Sequence, residues 1–127
     1  TVGYSEAADL SRMTITTRSD DRTLDQLVKQ LGKLIDVVEV RVLDRANTVY
    51  RELALIKMNA QDPTSRAEIT NLASVFRGKI LDIDKFTLTV EITGTPSKID
   101  AFRNLVSDFG IVQLARTGVS ALPRGAV

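Results

Sequence analysis

The chain has 127 residues, 43% of them hydrophobic, and a net charge of +1 from 17 basic and 16 acidic residues. This length allows one domain or two very small ones, and the near-neutral charge gives no electrostatic reason to expect nucleic acid or an anionic membrane as a partner. Because the sequence contains no Cys and no His, it excludes disulfides, zinc fingers, thiol nucleophiles and imidazole bases.

The first third of the chain predicts a strand, a helix and a second strand. Residues 11–18 alternate apolar and polar side chains with the period of a half-buried strand. A Ser-Asp-Asp cluster at residues 19–21 offers a cap for the following helix. The apolar stripe of that helix comprises Leu24, Leu27, Val28, Leu31 and Leu34. Residues 38–42 alternate again, and the polar residues 43–49 are the best linker candidate.

The next elements are a strand and a helix. Residues 53–58 form a nearly continuous apolar run, which predicts a central strand. After the break at Pro63, Ser65 and Glu68 have the spacing of a capping box at a helix start. The buried face of this helix is predicted to comprise Ile69, Leu72, Ala73 and Phe76. Gly78 is expected to supply the left-handed cap at its end.

Two further strands, a helix and a last strand complete the pattern. Residues 80–83 and 86–92 predict neighbouring strands, with Phe86 in the inward-facing set. Thr95 is expected to cap the last helix and Pro96 to begin it. Its apolar stripe comprises Ile99, Phe102, Leu105, Val106 and Phe109. Residues 111–115 close the fold, and residues 120–127 are predicted to be a loose tail.

The element order from Tyr50 onward is β-α-β-β-α-β, which predicts a ferredoxin-like sandwich of four antiparallel strands with two helices on one face. The first block repeats part of this unit at an offset of about 75 residues, with Ile15 matching Val90 and Leu27 matching Phe102. We therefore predict an α+β fold of two tandem ferredoxin-like βαββαβ units. Residues 1–49 would form the first, without its first strand and helix, and residues 50–127 the second. On this offset we expect the chain to be a fragment or to be only partly ordered at its start, and the unpaired sheet edge to favour association or to lower stability.

The sequence offers weak candidates for chemistry, and we predict no catalytic residue and no metal ligand. The close carboxylates Asp20-Asp21 and Asp82-x-Asp84 are interpreted as a helix cap and a solvated strand end. Residues 94–98 superficially resemble a phosphate loop, but they lack its second Gly and its Gly-Lys-Ser/Thr ending, and Pro96 removes an amide donor. Few aromatic residues remain to stack bases, which disfavours RNA binding. A small ligand would favour the junction between two such units.

Several stretches carry a more specific signal. They are Leu10-Ser11-Arg12-Met13-Thr14-Ile15, the helix from Leu24 to Val37, Arg51-Glu52-Leu53-x-Leu55-Ile56-Lys57, Phe76-Arg77-Gly78-Lys79-Ile80-x-Asp82 and Ala115-Arg116-Thr117-Gly118. Together they resemble the regulatory (small) subunit of acetohydroxyacid synthase, also called acetolactate synthase. The resemblance implies an amino-terminal ACT domain followed by a carboxy-terminal ferredoxin-like domain.

In function, the resemblance implies a subunit that does no chemistry itself. Such a subunit binds the large catalytic subunit, raises its activity in branched-chain amino acid biosynthesis, and confers feedback inhibition by valine or another branched-chain amino acid. Thiamine diphosphate, Mg²⁺ and FAD would belong to the catalytic partner, and this chain would hold no cofactor. The chain is expected to dimerise through its ACT domains. It would be cytoplasmic in a bacterium and plastidic in a plant.

The resemblance also assigns candidate site residues. In the family the effector lies between two ACT domains; the first turn that holds it is absent from this sequence, and the matching positions that remain are Thr1, Gly3 and Gln26. Gln26 has an alternative interpretation as a solvated residue beside the helix stripe. Residues 4–9 match the family's variable loop. Independently of the resemblance, Arg77 and Arg116 are candidate contacts with a partner protein because each is a cation close to a Gly at the end of an element. The helix dipole is the alternative explanation for Arg77.

Two other functions remain open from the sequence. The chain could be a stand-alone amino-acid-sensing ACT protein that controls a different enzyme or a transcription factor. An enzyme is the weaker hypothesis, and it would need an activity that depends on Asp82 or Lys57.

Overall fold

The computed structural model describes residues 1–7 and 9–125. These residues form a small amino-terminal part and a larger carboxy-terminal sheet covered by helices. In the amino-terminal part, β1 (Val2–Tyr4) pairs antiparallel with β2 (Ser11–Met13), and Gly3 lies opposite Arg12. The helix α1 (Asp21–Gly32) follows. Ala8, within the predicted variable loop, lies outside the described residues.

The start of α1 is fixed by a side-chain cap, as the Ser-Asp-Asp cluster predicts. Asp20 is the capping residue, and its Oδ1 accepts a hydrogen bond from the Thr23 amide at 2.8 Å. This hydrogen bond from the Thr23 backbone lowers the pKa of Asp20. The apolar stripe of α1 is only half-buried, and no residue of the helix is buried within the described part of the chain. The stripe is therefore available for contacts that this single chain does not make.

The predicted second strand of the first unit does not form, so this part of the prediction is wrong. Residues 38–42 are without strand structure, and Val38 and Val42 are 77% and 57% exposed. The predicted strand at residues 11–18 is reduced to Ser11–Met13. Alternation stabilises a strand only where a neighbouring strand pairs with it and a core buries its apolar face. A two-stranded sheet of three residues per strand supplies neither.

The carboxy-terminal part has the predicted β-α-β-β-α-β order. Its elements are β3 (Thr48–Asn59), α2 (Pro63–Val75), β4 (Lys79–Ile83), β5 (Thr87–Gly94), α3 (Pro96–Val106) and β6 (Ile111–Arg116), followed by β7 (Ser120–Pro123). The strand order is β4-β5-β3-β6, with every pairing antiparallel. This is the ferredoxin-like arrangement, which confirms the predicted fold class.

The core lies between one face of this sheet and the helices α2 and α3. Alternate residues of the central strands point into it, namely Ala54, Ile56 and Met58 of β3 and Leu88, Val90 and Ile92 of β5. The helices contribute Ile69, Ala73, Ile99, Phe102 and Val106. Phe76 and Phe102 meet edge to face, with ring centroids 5.3 Å apart. The prediction that Phe86 and Leu105 face the core is wrong, since these residues are 58% and 50% exposed.

The two core helices begin at proline, and one of the two predicted caps is correct. Thr95 caps α3 as predicted, and its Oγ1 accepts from the Lys98 amide at 3.4 Å. At α2, however, the cap is Asp62, whose Oδ1 accepts from the Ser65 amide at 2.7 Å. The Ser65 amide therefore donates a hydrogen bond to the capping residue, and Ser65 is not the cap itself. Both Pro63 and an acidic cap precede the predicted capping box, and they place the helix start three residues earlier.

The end of α2 also differs from the prediction. Arg77, with φ of 57°, adopts the left-handed conformation that was expected of Gly78. Gly78 is needed for a different reason, because β5 passes against its α-carbon. A Cβ atom there would clash with Cδ1 of Ile92 and lie 2.9 Å from the backbone carbonyl oxygen of Glu91.

The predicted loose tail is an ordered strand over most of its length. β7 pairs with the first residues of β3, from Thr48 opposite Pro123 to Arg51 opposite Ser120. Backbone hydrogen bonds to the otherwise open edge of β3 order this segment despite its Pro and Gly content. Residues 126–127, which complete the predicted tail, lie outside the described residues.

Across residues 1–7 and 9–125, no helix combines the length and the apolar character that crossing a membrane requires.

We predict that Gly78→Ala lowers the free energy of unfolding by about 1–3 kcal/mol, since the added methyl group overpacks the contact with β5. Gly32→Ala is the matched control, because a Cβ atom at Gly32 meets no other atom within 4 Å. Urea unfolding of both variants measures the difference. Equal midpoints for the two variants would contradict the close approach at Gly78.

Candidate effector and partner-contact residues

Thr1 connects the amino-terminal hairpin to the turn after β6. Its carbonyl oxygen accepts a hydrogen bond from the Thr14 amide at 2.7 Å, and its Oγ1 donates to the carbonyl oxygen of Val119 at 2.5 Å. Nearby, Nη2 of Arg12 donates to the carbonyl oxygen of Ala121 at 3.0 Å. These side-chain hydrogen bonds attach the amino-terminal part to the segment that joins β6 and β7 and to β7 itself.

Gly3 and Gln26 lie on different elements and do not contact each other through hydrogen bonds. Gly3 is exposed in β1, and a Cβ atom there would meet nothing within 4 Å. Gln26 is exposed on α1. The structure therefore places Thr1 and Gly3 on one hairpin and Gln26 separately on the helix, and the two surface cavities described below are lined by none of the three.

Arg116 is engaged in an ion-pair network inside the carboxy-terminal part. Its Nε and Nη2 donate to the two carboxylate oxygens of Glu52 at 2.7 and 3.0 Å. Its Nη1 donates to Oδ1 of Asp100 at 2.5 Å. The side chain of Glu52 is 5% exposed and that of Arg116 is 23% exposed. Arg116 thus joins β3, β6 and α3, and its guanidinium edge neutralises a buried carboxylate.

The fork of hydrogen bonds from Arg116 lowers the pKa of Glu52, although burial opposes this effect. Because the folded-state pKa lies below the ordinary value of 4.5, the pair stabilises the fold above that pH. The stabilisation is lost as the pH falls through the folded-state pKa, where Glu52 becomes protonated.

Arg77 is the other predicted partner-contact residue, and it is exposed at the end of α2. It lines a surface cleft together with Arg51, Thr93, Gly94, Thr95 and Lys98. The contact of Arg77 or Arg116 with another protein stays a prediction, because no partner chain is present.

The acidic residues singled out in the sequence have structural contacts. Oδ1 of Asp84 accepts from the amides of Phe86 and Thr87 at 2.7 and 2.8 Å, and these bonds lower the pKa of Asp84. Asp84 thus closes the turn between β4 and β5, and Asp20 caps α1. Among the described residues, no group of three or more acidic side chains is arranged to hold a metal ion.

The predicted site residues did not include Glu52, Asp100, Arg51 or Lys98, although Arg51 and Glu52 lie in a stretch that carries the resemblance. A usable signal existed for Glu52, because it occupies the same alternating set as Ala54, Ile56 and Met58 in β3. A carboxylate at an inward-facing position requires a cationic partner. The identity of that partner depends on how β6 pairs with β3, and residue spacing does not reveal this.

The comparisons with known proteins agree over both parts of the chain. A family model for the small subunit of acetolactate synthase matches residues 51–125, and a model for the AHAS small subunit-like ACT domain matches residues 1–39. A probable acetolactate synthase small subunit from Methanothermobacter thermautotrophicus is 52% identical over 126 residues, which are 99% of this chain and 75% of the relative. An acetolactate synthase small subunit from Mycolicibacterium smegmatis is 43% identical, over 98% of this chain and 72% of the relative.

A plant relative and a solved structure extend this agreement. The chloroplastic acetolactate synthase small subunit 2 of Arabidopsis thaliana is 45% identical over 97% of this chain and 25% of its own length. The crystal structure of the acetolactate synthase small subunit from Thermotoga maritima superposes with a TM-score of 0.91 at 42% identity. That match covers 99% of this chain and 78% of the other.

We predict that Glu52→Gln lowers the free energy of unfolding by about 1–3 kcal/mol at pH 7, because Arg116 loses its charged partner. Glu68→Gln, at an exposed position of α2, is the control. As the pH falls below 4.5, wild type and Glu52→Gln should converge in stability, since protonation of Glu52 produces the same loss. Urea unfolding between pH 7 and pH 3 measures this, and a pH-independent difference would contradict the role of the pair.

Proposed function

The chain belongs to the family of acetolactate synthase small subunits, and we propose that it is a non-catalytic regulatory subunit. In this role it binds and activates a thiamine-diphosphate-dependent catalytic subunit and confers feedback inhibition by a branched-chain amino acid, with valine as the first candidate. The observation that carries the proposal is the pair of family models, which match the two parts of the chain in succession.

The side chains support a role without chemistry. The sequence contains no Cys and no His. The carboxylates with a lowered pKa are engaged in caps, a turn and an ion pair, as at Asp62, Asp84 and Glu52. Thiamine diphosphate, Mg²⁺ and FAD would be held by the catalytic subunit, and this chain would act by binding to it.

A site shared by two copies of the chain would account for the separation of the candidate effector residues. Thr1 and Gly3 on the hairpin of one copy would contact the effector together with groups of the other copy, and Gln26 would contact it from α1. The half-buried stripe of α1 supports such a dimer, because association would remove apolar surface from water. The contacts of Thr1 and Arg12 with residues 119–121 offer a physical link from this site to the carboxy-terminal part.

The regulation would follow from differential binding. The effector would stabilise an arrangement of the ACT dimer that disfavours the activated complex with the catalytic subunit, and it would thereby shift the equilibrium away from that complex. The coupling is reciprocal, so binding of the catalytic subunit must weaken effector binding by the same factor by which the effector weakens the complex. The corresponding coupling free energy is of the order of 1–3 kcal/mol. The alternative is a stand-alone amino-acid-sensing ACT protein that controls another enzyme or regulator. The match of residues 51–125 to the small-subunit model favours the first proposal.

The decisive experiment mixes the purified chain with an acetolactate synthase large subunit. The chain alone should produce no acetolactate from pyruvate, and the mixture should turn over faster than the large subunit alone. Valine, leucine and isoleucine are then titrated into the mixture. An unchanged rate and an unchanged response to all three would overturn the proposal, and capture of a different enzyme would support the alternative.

We predict that Gln26→Ala weakens effector binding by about tenfold, because a polar contact between the amide side chain and the amino acid is lost. Gln30→Ala, an exposed residue one turn further along α1, is the control of the same chemistry. Calorimetry with valine measures both affinities. Since Gln26 is exposed, its replacement should leave the urea midpoint unchanged, and wild-type affinity in Gln26→Ala would remove this residue from the effector site.

A further inference from the structure

We propose that the cleft between the end of α2 and the start of α3 binds the phosphate group of a small phosphorylated metabolite. This site is separate from the candidate amino-acid site on the amino-terminal part. The cleft has a volume of about 440 Å³ and is lined by Arg51, Arg77, Thr93, Gly94, Thr95 and Lys98. This volume falls in the range of small-molecule sites.

Three cations converge on the cleft, and no carboxylate lines it. Arg51 comes from β3, Arg77 from the residues after α2, and Lys98 from the first turn of α3. Among the described residues, the ion pairs are those of Arg41 with Glu39 and of Arg116 with Glu52 and Asp100. The three cleft cations are in none of these ion pairs, and the contacts of Arg51 and Lys98 are hydrogen bonds to the carbonyl oxygens of Tyr50 and Thr93. A multiply charged anion in the cleft would therefore supply the charged partner that they lack.

The backbone at Arg77 has a conformation that is uncommon for arginine. The residue adopts the left-handed conformation, with φ of 57°, at the position after a helix where glycine is most common. Its side chain is exposed and belongs to none of the ion pairs of the described residues. Glycine would fit this conformation with less strain. A role of the Arg77 guanidinium in binding an anion in the cleft would explain why arginine occupies this position.

Lys98 is positioned by the residues around it. Its Nζ donates to the carbonyl oxygen of Thr93 at 2.9 Å, which leaves two ammonium hydrogens for another acceptor. The side chain folds back over Gly94, where a Cβ atom would lie 2.5 Å from Cδ of Lys98. The ammonium group therefore stays at the mouth of the cleft, beside the positive end of α3.

A neighbouring concavity defines the rest of the ligand. It has a volume of about 270 Å³ and is lined by Val75, Phe76, Arg77 and Lys98. It therefore shares two of the three cleft cations, Arg77 and Lys98, with the cleft. Val75 and Phe76 offer apolar surface beside the charges. The two cavities together fit a phosphate group attached to an apolar or aromatic body. The arrangement differs from a phosphate loop, because side chains supply the charge and Pro96 lacks an amide donor.

The test is calorimetry of the full chain with phenyl phosphate and, separately, with inorganic phosphate, at constant ionic strength. Wild type should bind phenyl phosphate saturably and several-fold more tightly than inorganic phosphate. Arg77→Gly and Lys98→Gln should each weaken binding of phenyl phosphate by about tenfold, the loss expected for one charge-assisted hydrogen bond. Arg103→Gln, on the same helix α3 and outside the cleft lining, should bind as wild type does.

The variant Arg77→Gly also separates a binding role from a structural one. Its urea midpoint should equal or exceed that of wild type, because glycine accommodates the left-handed conformation. Failure of wild type to saturate, or equal weakening in the Arg103→Gln control, would overturn the proposal. The proposal would also be overturned if Arg77→Gly and Lys98→Gln bound phenyl phosphate normally but failed to activate the catalytic subunit. In that case the cleft would bind acidic side chains of the catalytic subunit.

Discussion

The fold depends on the pairing of β3 along both of its edges. This strand of 12 residues pairs with β5 on one side and with β6 and β7 on the other. Its alternation presents Ala54, Ile56 and Met58 to the helices, and these three side chains are fully buried. The same register carries Glu52 into the edge of the core. The ion pair with Arg116 is therefore a consequence of the register, because β6 pairs with β3 beside this carboxylate.

The amino-terminal part shows what happens when such pairing is missing. It has a helix with a regular apolar stripe, yet the helix buries no residue within the described part of the chain. Local propensity and the cap at Asp20 are sufficient to define the helix, but most helical stability in proteins comes from packing. Hydrogen bonds of Thr1 and Arg12 hold this part to the segment before β7 and to β7 itself. A part that packs loosely on its own and is attached at a few points can change its arrangement at low energetic cost.

Much of the carboxy-terminal fold could be predicted from residue order, because alternation and helical spacing report burial directly. Leu88, Val90 and Ile92 were placed correctly on this basis. Errors arose where a neighbour decides the outcome. Phe86 continues the alternation, but it falls in the turn that Asp84 closes, and residues 38–42 alternate without a sheet to join. Of the site residues, Arg116 was identified from its position at the end of the last strand, whereas its partners Glu52 and Asp100 required the three-dimensional arrangement.

The cleft cations show how a sum of charges hides their distribution. A net charge of +1 argued against nucleic acid or an anionic membrane as a partner, but a net charge does not report where the charges of each sign lie on the surface. In this fold two turns at one end of the sheet bring together cations from β3, α2 and α3, while Glu52 and Asp100 are held by Arg116. Because three cations and no carboxylate line the cleft, its lining is positively charged in a chain that is nearly neutral as a whole.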